Sequence, residues 1–133
     1  MLRIMGLGII MLFFQLISCK HKEVITPQDV TAPFIQLTNP VEGGRYKSGE
    51  TILIKGKVSD ESLHIMEIVV TNPSSGAILF AASPYIHDLT QYEFESAYVP
   101  AAVSSEMPQQ LSIRVEDHSD HVSTNKLNIT ILP

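Results

Sequence analysis

The chain has 133 residues, a formal net charge of −5 and an isoelectric point near 5.4. This length suits a single domain. The acidic balance argues against a nucleic-acid-binding protein, because such proteins present a basic face. The chain has one cysteine, Cys19, and this excludes an internal disulfide.

The N-terminal segment has the pattern of a secretory signal peptide. Arg3 gives a positive start, and residues 4–17 form an apolar run that is interrupted only by Gln15. A transmembrane helix needs about 20 apolar residues, so this run is too short to span a bilayer comfortably. We therefore expect residues 1–18 to be a signal peptide.

The motif Leu16-Ile17-Ser18-Cys19 resembles the bacterial lipobox, in which Leu, a small or aliphatic residue and a small residue precede an invariant cysteine. In lipoproteins that cysteine receives a diacylglycerol and becomes the first residue of the mature chain, so the resemblance implies lipidation of Cys19. Cysteine suits this step because its thiolate is a strong nucleophile. Lys20 stands where inner-membrane lipoproteins of enterobacteria carry Asp, which favours the outer membrane. The alternative is a plain signal peptide or an uncleaved anchor, with Cys19 incidental.

The remaining chain divides into a tether and a β-rich domain. Residues 19–33 are mostly polar and contain two prolines, which is typical of a tether. From Phe34 onward, apolar residues alternate with polar ones, and this predicts β-strands. The predicted strands cover residues 34–39, 51–59, 66–72, 77–82, 91–99, 111–117 and 127–132. About seven alternating strands separated by turn signals predict an all-β, immunoglobulin-like antiparallel β-sandwich over residues 34–133.

Two stretches also resemble a known family. They are "TAPFIQLTNPVEGGRYKSGETILIKGKVSDESLHIMEIVV" (31–70) and "LSIRVEDHSDHVSTNKLNITIL" (111–132). Both are similar to immunoglobulin-like modules of Bacteroidetes-type surface lipoproteins, and nearest to the family of unknown function numbered DUF4625. The resemblance implies the fold and an envelope location, but no activity. Family members often carry a His-rich stretch after the third strand, whereas the matching "VVTNPSSGAILF" has no His.

Acidic residues lie at predicted strand ends that this topology brings to one end of the sandwich. They are Asp29, Asp60, Glu61, Asp117 and Asp120. Ca²⁺ takes about 6–8 oxygen ligands, so their convergence would form a calcium site. The commoner explanation is a set of solvated turns, because Asp side chains bond nearby backbone in turns.

Histidines suggest a second candidate site near the same turns. His64, His118 and His121 would supply imidazole ligands to a transition metal if they met. The alternative is that they are ordinary exposed turn residues. His21 and His87 have no partner visible in the sequence.

The sequence contains no GxSxG, HExxH or Gly-rich phosphate-loop motif, so we do not expect an enzyme. We expect instead a lipid-anchored envelope protein that acts as a binding module for a protein or glycan partner. One alternative is a calcium- or transition-metal-binding envelope domain. Another is an accessory subunit of an outer-membrane complex, such as one for nutrient import.

Overall fold

A computed structural model describes residues 28–133 of the chain, and this part of it contains eight β-strands and no helix. The strands are β1 (Phe34–Asn39), β2 (Gly44–Lys47), β3 (Ile52–Ser59), β4 (Leu63–Thr71), β5 (Ile78–Ala82), β6 (Gln91–Tyr98), β7 (Met107–Asp117) and β8 (Val122–Leu132). Residues 28–33 precede β1 without regular secondary structure.

The strands form two sheets that pack face to face. One sheet has the order β1-β3-β6, and the other has the order β2-β8-β7-β4-β5. Neighbouring strands are antiparallel except for the pair β2 and β8. The predicted immunoglobulin-like β-sandwich is therefore confirmed.

The additional strand, β2, is the main difference from the sequence prediction. It runs parallel to β8, with Gly44 opposite Ile129 and Lys47 opposite Leu132. Its four residues lie between turns at Gly43 and Gly49, both of which have positive φ angles. Because turn residues crowd both sides, no alternating pattern is long enough to indicate the strand. Tyr46 packs against the core and thereby fixes the strand.

The core lies between the sheets and is built from the inward-facing residues of the alternating pattern. The three-stranded sheet contributes Ile52, Ile54, Val58, Phe94 and Tyr98, and the five-stranded sheet contributes Met66, Ile68, Val70, Leu111, Ile113, Val115, Leu127, Ile129 and Ile131. Burial of apolar side chains is worth about 1.5–3 kcal/mol each, so these positions dominate the stability of the fold. Leu63 and Ile86 close one end of this core.

Strand register brings several turns to that end. Ser59 lies opposite both Phe34 and Gln91, and Leu63 lies opposite Asp117. The start of β1, the β3–β4 turn, the loop before β6 and the β7–β8 turn therefore meet. We call this end of the sandwich, formed by residues 60–64, 83–90 and 117–121, the histidine end.

The expected signal peptide, Cys19 and the tether up to residue 27 lie outside the described residues. Within residues 28–133, no helix is long and apolar enough to cross a membrane.

Candidate metal centre

Backbone hydrogen bonds hold the loops of the histidine end together. The Leu63 N–H donates to the Leu89 carbonyl at 2.9 Å, and the Asp88 N–H donates to the Leu63 carbonyl at 2.9 Å. The His118 N–H donates to the Ser62 carbonyl at 3.1 Å. Each loop is thus bonded to the β3–β4 turn, so the side chains on these loops have a fixed relation to one another.

Three imidazoles converge on this framework. His64 lies in β4, His87 in the loop before β6, and His118 directly after β7. The rings of His64 and His118 stack with centroids 4.4 Å apart, and the His87 ring meets each of them edge to face at 5.2 and 4.5 Å. One nitrogen from each ring lies within 4.8 Å of the other two. We call these three residues the histidine cluster.

The cluster has the ligand chemistry of a transition-metal site. Imidazole nitrogens suit Zn²⁺, Cu²⁺ and Ni²⁺, whereas Ca²⁺ requires oxygen ligands. In tetrahedral zinc sites the Zn–N distance is about 2.0–2.1 Å, which places ligand nitrogens about 3.4 Å apart. The side chain of His118 is 33% exposed and that of His87 is 39% exposed, so a metal could enter and retain a water ligand.

Two other side chains surround the cluster. The Asp88 carboxylate contacts both His87 Nδ1 and His118 Nε2 at 3.0 Å. The ring of Tyr85, which is 82% exposed, stacks against the His87 ring with centroids 6.1 Å apart. Asp88 and Tyr85 therefore limit the orientations that the His87 ring can adopt.

A second group at this end consists of Asp29, Asp117 and His121, and its potential ligand atoms also lie within 4.8 Å of one another. The Asp117 side chain is fully buried. Its Oδ1 accepts hydrogen bonds from the N–H groups of Ser119 and His121, at 2.7 and 2.9 Å. Its Oδ2 lies 2.8 Å from His121 Nδ1. Both oxygens of the Asp117 carboxylate are therefore occupied by contacts that stabilise the β7–β8 turn.

These hydrogen bonds shift the pKa values of Asp117 and His121. Burial alone raises the pKa of Asp117, but hydrogen bonds from His121 and Ser119 outweigh it and hold that pKa below its ordinary value of 3.8. The hydrogen bond to Asp117 raises the pKa of His121 above 6.5, and the charges of Asp117, Asp29 and Asp60 add to this effect against partial burial. Both shifts favour an ion pair between the Asp117 carboxylate and the His121 imidazolium.

The structure gathers part of the predicted calcium set. Asp29 and Asp117 meet, but the third member of their group is His121. Asp60 accepts a hydrogen bond from the Ser62 N–H at 2.9 Å, as Asp side chains do in turns. Glu61 and Asp120 are exposed and do not belong to the group.

The predicted transition-metal set is also altered. His64 and His118 meet as expected, but the third imidazole is His87 and not His121. The reason is that the His121 ring turns back to the buried Asp117 carboxylate. The sequence does not indicate that His87 joins this set, because its loop has no periodic pattern. The one local signal was its neighbour Ile86, which is buried and anchors the loop beside Leu63.

Comparison with known proteins gives fold neighbours only. No protein-family model matches the sequence, and no curated protein matches it. An engineered protein matches 76% of this chain with a TM-score of 0.55 and 11% identity, and this chain spans 20% of that protein. The fibronectin(III)-like modules of CbhA from Clostridium thermocellum match 74% of this chain and 94% of their own, with a TM-score of 0.52 and 14% identity. A CARDB domain of Pyrococcus furiosus, solved in complex with di-metal ions, matches 77% of this chain and 93% of its own, with a TM-score of 0.43 and 10% identity.

The two likenesses with TM-scores above 0.5 concern the fold alone, and they agree with the two sheets described above. The resemblance to DUF4625 and to Bacteroidetes lipoproteins stays a prediction from the sequence.

Proposed function

We propose that this protein binds a divalent transition-metal ion through His64, His87 and His118. The observation that carries the proposal is the convergence of three imidazoles from separate segments of the chain, with one nitrogen of each within 4.8 Å of the others. This arrangement leaves room for a water or an outside ligand in the fourth position, as in open zinc sites.

A purely structural role accounts poorly for this cluster. The rings lie at the surface rather than in the core, and among the described residues no hydrogen bond joins one of these rings to another. Packing three imidazoles together therefore adds little to the stability of the domain. A bound cation would take one nitrogen from each ring as a ligand and so account for their convergence.

Calorimetric titration of the full-length, metal-free protein in detergent would test the proposal. We expect heat and a single site with Zn²⁺ or Ni²⁺, and no heat with Ca²⁺. Each of the three variants His64→Ala, His87→Ala and His118→Ala should weaken binding by more than about 100-fold, because outer-shell partners alone are worth about 10–100-fold. Absence of binding by the unaltered protein, or unchanged binding by all three variants, would overturn the proposal.

We also infer that the protein is a lipoprotein that carries this site at the cell envelope, most simply at the outer membrane. The support is the lipobox-like Leu16-Ile17-Ser18-Cys19 that follows a short apolar run. Cys19→Ala should release the protein into soluble fractions or block its maturation. Cys19→Ala that stays in the membrane and is processed like the unaltered chain would contradict the anchor without bearing on metal binding.

A further inference from the structure

Asp88 occupies an unusual backbone position beside the histidine cluster. Its φ angle is +63°, in the left-handed region that favours glycine and that most other residues avoid. The position is held firmly, because the Asp88 N–H donates to the Leu63 carbonyl and the Leu89 N–H donates to the Ile86 carbonyl. Asp is among the few residues other than glycine that adopt this region, so the conformation fixes the place of the carboxylate and its contacts decide its role.

The side chain of Asp88 lies against two members of the cluster at once. Its Oδ2 lies 3.0 Å from His87 Nδ1, and its Oδ1 lies 3.0 Å from His118 Nε2. Yet the carboxylate is 73% exposed, so these contacts are not needed to satisfy a buried charge. The group of mutually close ligand atoms comprises the three imidazoles and does not extend to Asp88.

These two contacts select the tautomers of both rings. A carboxylate oxygen carries lone pairs and no proton, so the Asp88 charge favours the tautomer in which the nearest ring nitrogen carries the proton. In a neutral imidazole the other nitrogen then holds the lone pair. His87 consequently offers Nε2, and His118 offers Nδ1, as a ligand atom.

We propose that Asp88 is a positioning residue for the metal site, one carboxylate that orients two ligand imidazoles so that His87 binds through Nε2 and His118 through Nδ1. This inference rests on the proposed function. Carboxylates that accept a hydrogen bond from a ligand imidazole fix the orientation of the ring and raise its basicity. Here Asp88 alone orients two of the three ligand imidazoles, and the hydrogen-bonded turn fixes the position of its carboxylate.

The chain offers a matched control in Asp120. This residue has a φ angle of +65° and lies in the neighbouring β7–β8 turn, and none of the ion pairs among the described residues joins its carboxylate to a histidine. Glycine adopts such angles without strain, so Asp88→Gly and Asp120→Gly should both fold. The two variants therefore remove the same group from the same backbone conformation, and only one of them removes contacts to the cluster.

The experiment compares the full-length protein and these variants by competition of a chelator for Zn²⁺. Asp88→Gly should weaken binding about 10–100-fold, as loss of outer-shell partners does, whereas Asp120→Gly should bind like the unaltered protein. Asp88→Asn should fall between them, because an amide oxygen can accept a hydrogen bond from only one of the two rings in this geometry. Equal affinities for Asp88→Gly and the unaltered protein would overturn the inference.

Nitrogen NMR of the histidine rings separates this inference from the proposed function. In the metal-free protein at a pH where these rings are neutral, His87 should carry its proton on Nδ1 and His118 on Nε2, and Asp88→Gly should abolish that preference. If Zn²⁺ binds but displaces protons so that His87 uses Nδ1 or His118 uses Nε2, the positioning role is refuted while the metal site stands. If the unaltered protein binds no metal, the proposed function and this inference fail together.

Discussion

The two groups of potential metal ligands at the histidine end differ in the hydrogen bonds that their polar atoms make within the domain. In the group of Asp29, Asp117 and His121, the buried Asp117 carboxylate accepts hydrogen bonds on both of its oxygens. In the histidine cluster, the rings stack or meet edge to face, and the Asp88 carboxylate lies 3.0 Å from two of them.

Similar residues therefore have two different roles at this end. Polar atoms that satisfy one another inside a turn stabilise that turn, because an unpaired buried charge is costly. Imidazole nitrogens that converge without bonding to one another can instead bind an added metal ion. Closeness of ligand-type residues is therefore a weaker indication of a metal site than the absence of hydrogen bonds between their ligand atoms.

The largest expected effect separates His118 from His121. At a free Zn²⁺ concentration of about 100 times Kd, binding should stabilise the unaltered protein by about 2.7 kcal/mol. His118→Ala should abolish this stabilisation, and His121→Ala should retain it although its metal-free melting temperature is lower. Thermal melts with and without Zn²⁺ give both quantities. If His121→Ala also loses the zinc effect, the two groups form one site and the comparison is wrong.

The reverse comparison concerns stability without metal. Asp117→Asn replaces the buried acceptor of His121 and should lower the free energy of unfolding by about 2 kcal/mol. Asp88→Asn makes the same chemical change at a carboxylate that is 73% exposed, and it should lower that free energy much less. Urea denaturation of the chelator-treated proteins measures both changes. A larger loss for Asp88→Asn would mean that the histidine cluster, not the Asp117 turn, stabilises this end.

The fold was largely predictable because a period of two survives in the sequence of most strands. β1 was predicted at its observed bounds, and β3 and β6 within one residue at their ends. β7 and β8 extend farther toward their N-terminal ends than predicted, since Pro108 and the polar run from Ser123 to Lys126 interrupt the apolar pattern. Main-chain pairing with neighbouring strands continues through both segments.

The site was predictable only in part. Topology alone brought the correct turns to one end, so His64 and His118 were identified. The exchange of His121 for His87 depends on side-chain direction, which the sequence pattern does not encode. His121 is held by an acceptor four residues earlier, and His87 is placed by a loop that hydrogen bonds to Leu63.

The pH dependence of stability gives a third test of the comparison. The raised pKa of His121 contributes stability that is complete below its ordinary pKa of 6.5 and is lost as the pH rises through the folded-state value. The lowered pKa of Asp117 contributes stability that is complete above 3.8 and is lost as the pH falls through the folded-state value. The contribution of this pair should therefore be greatest between about pH 4 and 6.5.

Urea midpoints of the metal-free protein across this range would measure the profile, with His121→Gln as the comparison. That variant has no imidazole to titrate, so the decline on the alkaline side should become shallower. If the variant and the unaltered protein had the same profile, the Asp117–His121 pair would not be the cause of the pH dependence of stability.

The smallest expected effect lies in Asp29, which precedes β1 and whose charge adds to the raised pKa of His121. Asp29→Asn keeps an oxygen for the hydrogen bonds from the Thr31 N–H and hydroxyl, so the local turn should persist. Loss of the charge should lower the His121 pKa, but by less than Asp117→Asn does, because Asp117 also supplies a direct hydrogen bond. NMR titration of the His121 ring would rank the two variants. An unchanged His121 pKa in Asp29→Asn would mean that the end of the tether does not lie against this turn, and the second group would then reduce to the Asp117–His121 pair alone.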